Sequence, residues 1–294
     1  MEGFNMAKRQ LTATEAFDLR QALHVATLDA LMASRRWEPG DLVFQGGTSL
    51  HLAHGSPRFS EDLDFLVRSA LKLDSIGESV QARLDGTAWL PGDTRLTVGK
   101  AKDGRNPHAF VVSIGGPEVI GAVRVKVEMW QTQETALSAV KAIIAPVRLA
   151  RGPAAGMQTF VPTADLPEIF ADKVFALAAR AYLKPRDVFD LHWLGTYGGL
   201  RECSADDLRV RLATYPGETP SAWLEKAFAR RMELRDAGDA ITTDLKRWLP
   251  SSWPLTESMT KDMARFAIHA LEQGIDAMRE VGAGYPGDDE IPRP

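Results

Sequence analysis

Phe44-Gln45-Gly46-Gly47-Thr48-Ser49 and, fifteen residues past Gly47, Asp62-Leu63-Asp64-Phe65-Leu66-Val67 are the two stretches whose reading decides the fold. Side chains alternate along a strand, so Asp62 and Asp64 are expected on one side while Leu63 and Phe65 enter the core. Two carboxylates this close resist joint ionisation unless a cation neutralises them. Mg2+, which takes oxygen ligands and shares them with substrate phosphates, suits that arrangement. Upstream, Gly46-Gly47 is expected to form a turn whose bare backbone N–H groups approach a phosphate, and Thr48-Ser49 to cap the helix that follows. A nucleoside triphosphate (NTP) then bridges turn and metal. Alone, either half is an ordinary turn or a solvated edge strand; together they point to metal-assisted nucleotide chemistry.

Working outward, apolar residues at helical spacing from Thr12 to Arg36 predict a long leading helix with Thr14 as N-cap. Strands are expected at 41–44, 63–67, 95–98, 109–114 and 123–129, and helices at 49–54 and 71–84, which makes a mixed sheet with helices packed on it. In Val123-Arg124-Val125-Lys126-Val127-Glu128-Met129 the valines face one way and Arg124, Lys126 and Glu128 the other. If this strand neighbours Leu63–Val67, Glu128 becomes a third metal ligand; otherwise it is a solvated charge.

From Leu166 the period turns helical, with Asp172, Lys173 and Arg180 off the apolar stripe. Lys173 is open to two readings, a surface lysine paired with Asp172 or a cation aimed at a site. Pro185 should open a further helix, with Arg186 and Asp187 in its first turn and Asp190 one turn on. There the acids complement the helix dipole, with Arg186 available to clamp one of them, or face a site. Further helices are expected near 205–213, 221–237, 240–249 and 256–278. Trp223, Trp248 and Trp253 should pack between them, and the run Lys226, Arg230, Arg231, Arg235 with Lys246-Arg247 is either a solvated face or a contact for an RNA backbone.

Gly46-Gly47-Thr48-Ser49-Leu50, then Gly55-Ser56-Pro57-Arg58-Phe59-Ser60-Glu61-Asp62-Leu63-Asp64-Phe65, Asp172-Lys173 and Arg186-Asp187-Val188-Phe189-Asp190-Leu191 occur in the order found in a known family. The chain resembles the AbiEii/MenT-like nucleotidyltransferase toxins, a branch of the polymerase-beta-type nucleotidyltransferase superfamily. The matching motifs lie between residues 40 and 195, and the remainder matches nothing specific. The resemblance implies an α+β fold: a polymerase-beta-type mixed sheet with helices over 1–160, an all-helical domain over 161–282 that completes the active-site cleft, and a flexible tail over 283–294. It implies Mg2+ on Asp62, Asp64 and Glu128, and an NTP held by Gly46, Gly47, Thr48, Ser49, Lys173 and Asp187. Asp62, Asp64, Lys173 and Asp190 are implied as catalytic, and spacing favours Asp190 over Asp187. It further implies transfer of NMP to an acceptor hydroxyl at the 3′ end of tRNA, blocking translation, and a cognate antitoxin encoded nearby. Ser60, two residues before Asp62, matches the position phosphorylated in some relatives. A small-molecule nucleotidyltransferase of the antibiotic-modifying type and a non-catalytic nucleotide-binding module remain as other readings.

Composition bounds these expectations. A chain of 294 residues with 45% hydrophobic residues can bury two cores, and a net charge of −4 advertises no general affinity for nucleic acid. The single Cys203 excludes an internal disulfide and a multi-cysteine zinc site and fits a reducing compartment. No apolar run is long enough to span a membrane, and Met1 to Gln10 lack a secretion core, so a cytoplasmic protein is expected.

Overall fold

The computed structural model describes residues 8–99, 106–200 and 202–284; of the tail expected over 283–294, residues 285–294 lie outside the described residues. The fold is α+β and divides into two compact units. The first comprises residues 1–55, 60–131 and 142–163, and the second residues 56–59, 132–141 and 164–294.

In the first unit, β1 (Arg9–Gln10) leads into α1 (Ala13–Ala33), then β2 (Leu42–Gln45), α2 (Gly46–Leu52), β3 (Leu63–Arg68), α3 (Ile76–Leu84), β4 (Arg95–Val98), β5 (His108–Gly115), β6 (Val119–Ile120) and β7 (Val123–Thr132). After α4 (Glu134–Ala139), which belongs to the second unit, come β8 (Ala142–Arg148) and β9 (Gln158–Ala164). Among the described residues seven strands form one mixed sheet in the order β4-β5-β7-β3-β2-β9-β8, and β1 pairs with β6 separately. β2 and β3 are antiparallel with Phe44 opposite Phe65, whose rings lie 5.1 Å apart, while β9 joins β2 in parallel. α1 and the sheet share a core in which Leu19, Leu23, Leu28, Leu63, Phe65, Val125 and Val127 are fully or almost fully buried.

Three expectations need correction here. The cap of α1 is Thr12, whose hydroxyl accepts from Glu15 N–H at 3.1 Å, because Thr14 already lies inside the first turn. α2 begins at Gly46 rather than Ser49, so Thr48 and Ser49 are helical and buried instead of capping, and α3 begins at Ile76 rather than at Leu71. α4, β8 and β9 were not anticipated. The exposed run Ala142-Ile143-Ile144 on the edge strand β8 is apolar without alternation, and Pro146 falls within it, so neither strand nor helix period emerges.

The second unit is helical: α4, α5 (Leu166–Ala179), α6 (Pro185–Tyr197), α7 (Ala205–Thr214), α8 (Pro220–Arg235), α9 (Gly238–Leu245) and α10 (Glu257–Ala283). Asp165 caps α5 by accepting from Glu168 N–H at 3.0 Å, and Pro185 opens α6. α10 packs against α5, α6, α7, α8 and α9. Close approach depends on Gly195, where a Cβ would lie 2.0 Å from the Phe266 ring. The tryptophans pack as expected: Trp223 is buried, stacks on Phe175 and donates to its carbonyl, and Trp253 meets Phe189 edge to face. The basic run divides. Arg230 is buried and donates to the carbonyls of Leu177 and Arg180 at the end of α5, whereas Lys226 pairs with Glu218 and Arg231 with Glu272.

Candidate active site

In the sheet unit the geometry starts from one pairing. Antiparallel register places Asp64 opposite Gln45, and the chain turns immediately after Gln45 into α2. The turn requires Gly46 at φ +81°, a conformation that L side chains rarely adopt. A Cβ at Gly46 would also sit 2.6 Å from Asp64 Oδ2, so the glycine turn and the aspartate strand are one construction. Leu63 and Phe65 are buried while Asp62 and Asp64 are half-buried, the alternation expected of them, with Asp62 immediately ahead of β3.

Two side chains hold the backbone there. The Thr48 hydroxyl donates to the carbonyl of Asp62. His24, on the buried face of α1, places Nε2 2.9 Å from the carbonyl of Glu61. Burial lowers the His24 pKa to about 4, and the bond to the Glu61 carbonyl opposes that only in part. The imidazole is therefore neutral at pH 7, and its Nε2–H is the donor. Among the described residues Ser49 Oγ, on α2, is buried with no hydrogen-bond partner. Ser60 is half-buried, one residue before Glu61.

β7 is the neighbour of β3 in the sheet, so Glu128 lies on the strand beside that of Asp64. Val123, Val125 and Val127 are buried, and Arg124, Lys126 and Glu128 alternate with them on the other face. Lys126 Nζ donates to Glu128 Oε1 at 2.6 Å. The bond to Glu128, and more weakly the charges of Asp62 and Asp64, raise the Lys126 pKa, so one ammonium lies in the field of all three carboxylates. Among the described residues no three His, Cys, Asp or Glu side chains stand ready as a cation cage. The donor set nevertheless fits a hard divalent cation: its oxygens are carboxylates, the missing Cβ of Gly46 lets the turn come close to Asp64 Oδ2, and Lys126 stands as a cation beside Glu128.

In the helical unit Lys173, Asp187 and Asp190 converge, together with a residue the sequence did not single out. Arg58 binds Asp190 through two parallel bonds, Nε to Oδ1 at 2.6 Å and a terminal nitrogen to Oδ2 at 2.7 Å. Lys173 Nζ lies 2.6 Å from Asp187 Oδ1 and 2.9 Å from Asp190 Oδ2, and Arg180 approaches Asp187 at 3.1 Å. Arg58, Lys173, Asp187 and Asp190 are all at most 5% exposed. Burial alone would push both carboxyls up; the cations outweigh it, Lys173 chiefly for Asp187 and Arg58 chiefly for Asp190, and hold both below the usual carboxylate range. Burial alone would likewise lower Lys173 and Arg58, and the aspartates reverse that. Lys173 is thus not the surface partner of Asp172, which accepts from the Tyr215 hydroxyl at 2.9 Å. Nor does Arg186 clamp an aspartate of α6: its guanidinium lies over the Trp248 ring at 4.3 Å. The signal for Arg58 was its place in Arg58-Phe59-Ser60-Glu61-Asp62, but its partner lies 132 residues away. Cys203 is buried, and burial pushes its thiol up to about 12, which makes it a packing residue.

The family described as nucleotidyl transferase AbiEii toxin, type IV toxin–antitoxin system, matches residues 29–271. The chain belongs to this family. It is accordingly a nucleotidyltransferase of the toxin class, and every motif residue described above falls within the matched span. The fold is similar to that of MenT4, a nucleotidyltransferase toxin from Mycobacterium tuberculosis H37Rv, at 17% identity and a TM-score of 0.50, covering 91% of this chain and 94% of that one. JHP933 from Helicobacter pylori aligns at 18% identity and a TM-score of 0.48, over 92% of this chain and 99% of that one. No curated protein matches in sequence. Among the described residues no helix is long and apolar enough to cross a membrane.

Proposed function

We propose that this AbiEii-family chain transfers NMP from an NTP to the 3′ end of tRNA in the cytoplasm and thereby blocks translation, under control of a cognate antitoxin. The observation that carries the reading is the joint construction of Gly46 and Asp64, in which a left-handed glycine leaves room for a carboxylate at the mouth of a strand-to-helix turn. Asp62, Asp64 and Glu128 would hold Mg2+, which supplies neutralisation of the triphosphate's charge. Gly46, Gly47, Thr48 and Ser49 receive the phosphates, and the orphaned Ser49 hydroxyl has a donor to give. The acceptor hydroxyl oxygen attacks the α-phosphorus and releases its proton to water, forming a new P–O bond as the α–β bridging bond breaks and pyrophosphate leaves with its electron pair. Thr48 and His24 fix the backbone carbonyls of Asp62 and Glu61, and so pre-position the carboxylate at no cost during the reaction.

For the helical unit the proposed roles are Lys173 and Asp187 on the nucleotide and Asp190 in catalysis, where Asp190 positions Lys173 and Arg58. Phosphorylation of Ser60, two residues from Asp62, would set added negative charge beside a triphosphate site and switch it off. Mass spectrometry after co-expression with the antitoxin should find phospho-Ser60; an unmodified serine in growth-arrest-free cells removes that step.

The test of the whole reading is incubation of the pure protein with each labelled NTP and either total tRNA or aminoglycosides, followed by sequencing of tRNA 3′ ends. Label at tRNA termini is expected. Label on the aminoglycoside transfers the reading to a small-molecule enzyme. If Asp62→Ala arrests growth as the parent chain does, the binding-module reading replaces catalysis.

A further inference from the structure

Resting on the metal site read above, we propose that Lys126 is the resident counter-ion of the acidic face of the sheet unit: it holds the Glu128 carboxylate until a divalent cation takes that ligand, and so sets how tightly the cation binds. The alternation of β7 carries the geometry. Val125 and Val127 are buried, which fixes Lys126 and Glu128 on the opposite face, two residues apart, with Nζ on Oε1 at 2.6 Å. No strand intervenes between β7 and β3, so the same ammonium feels Asp62 and Asp64.

The pair is built to be given up. The Lys126 side chain is 46% exposed and that of Glu128 28%, so water competes for both, and an ion pair of this kind is held weakly. Lys173 is the counterexample within this chain: its side chain is 7% exposed and its ammonium is shared between two buried aspartates. A lysine is also the right cation for release. Its ammonium is a compact, strongly hydrated charge on a flexible stem, whereas an arginine fork would lock Glu128 bidentately. Once displaced, Lys126 remains on the acidic face, where its three donors can meet a phosphate of the incoming triphosphate.

The test is Mn2+ titration of the full chain without nucleotide, followed by electron paramagnetic resonance, which reads metal binding independently of activity. Lys126→Met should bind Mn2+ about fivefold tighter, the size expected for removing one nearby like charge in a partly solvated site. Lys126→Arg should bind less tightly than Lys126→Met. Arg124→Met removes the same charge from the same face without touching Glu128 and should shift affinity less than Lys126→Met does. In a Glu128→Gln background, replacing Lys126 by Met should lose most of its effect. Equal affinity of the Lys126→Met and parent chains, or an undiminished shift in the Glu128→Gln background, overturns the counter-ion role while leaving the metal site standing. A parent chain that binds no Mn2+ overturns both. Melting curves of each variant verify that the fold is intact.

Discussion

Asp64 in the sheet unit and Asp190 in the helical unit come from neighbouring motifs of one family, yet they sit in opposite electrostatic settings. Asp190 is fully buried and held by Arg58 and Lys173; with Asp187 the cluster has two cations against two anions, and Arg180 stands at its rim. Asp64 is half-buried, and the carboxylates of Asp62, Asp64 and Glu128 all act on the ammonium of Lys126. A balanced buried cluster organises structure, because removing any member strands a charge. A half-exposed acidic face is open to a ligand from outside, and in the proposed reaction that ligand is metal with triphosphate.

Breaking the comparison at its two ends should therefore give opposite signatures. Asp64→Ala is expected to lower nucleotidyl transfer by at least about 10³-fold, the scale of a lost charge-stabilising group, while urea unfolding shifts by no more than about 1 kcal/mol. Asp190→Ala is expected to destabilise the helical unit by about 3–5 kcal/mol, because Arg58 and Lys173 lose their shared counter-charge in a dry environment. Swapped signatures, with Asp64→Ala unfolding the protein and Asp190→Ala leaving it intact, would refute the division.

Gly46→Ala should come next. It combines a positive φ with a Cβ that would press on the Asp64 carboxylate, so a loss of about 1–3 kcal/mol is expected together with a fall in transfer activity. A variant equal to the parent in both would show that turn and carboxylate are independent.

Acid sharpens the contrast. His24 carries a pKa lowered from 6.5 to about 4 by burial, with the neighbouring charges of His51 and Arg20 acting in the same direction. The unfolded chain takes up that proton first, so the stability of the sheet unit is full above 6.5 and declines as pH falls towards 4, by up to about 3 kcal/mol. The depressed carboxyls of Asp187 and Asp190 run the other way: they stay ionised across this window and release their contribution only at much lower pH. Hydrogen exchange measured by mass spectrometry should show α1 and β3 losing protection before α5 and α6 between pH 7 and 4.5. In His24→Gln that difference should shrink.

The smallest effect is a baseline. The exposed pair Glu257–Lys261, one turn apart on α10, is screened by water, so Lys261→Ala should barely move the unfolding midpoint.

The parts of the molecule readable in its sequence are those governed by local period and local chemistry. The alternation around Asp62 and in Val123–Met129, the stripe of α5 and the proline that opens α6 all depend on neighbours in the chain. What was not readable depends on long-range partners. Arg58 looks like any loop arginine until Asp190 is folded onto it, and His24 looks like an ordinary helix residue until the carbonyl of Glu61 meets its ring. Thr48 was expected as a cap; its hydroxyl goes instead to a carbonyl 14 residues on, because the helix starts three residues earlier than expected. The edge strand β8 escaped because Ala142, Ile143 and Ile144 are exposed without alternation, against the pattern by which strands are recognised.

The proposed reaction requires the acidic face of the sheet unit to take a divalent metal ion on Asp62 and Asp64. Anomalous scattering from crystals soaked with Mn2+ and a nonhydrolysable triphosphate tests it most directly. A manganese peak ligated by Asp62 and Asp64, with Glu128 released from Lys126, is the predicted result; a face without manganese, its aspartates turned to bulk water while the triphosphate binds elsewhere, would contradict it.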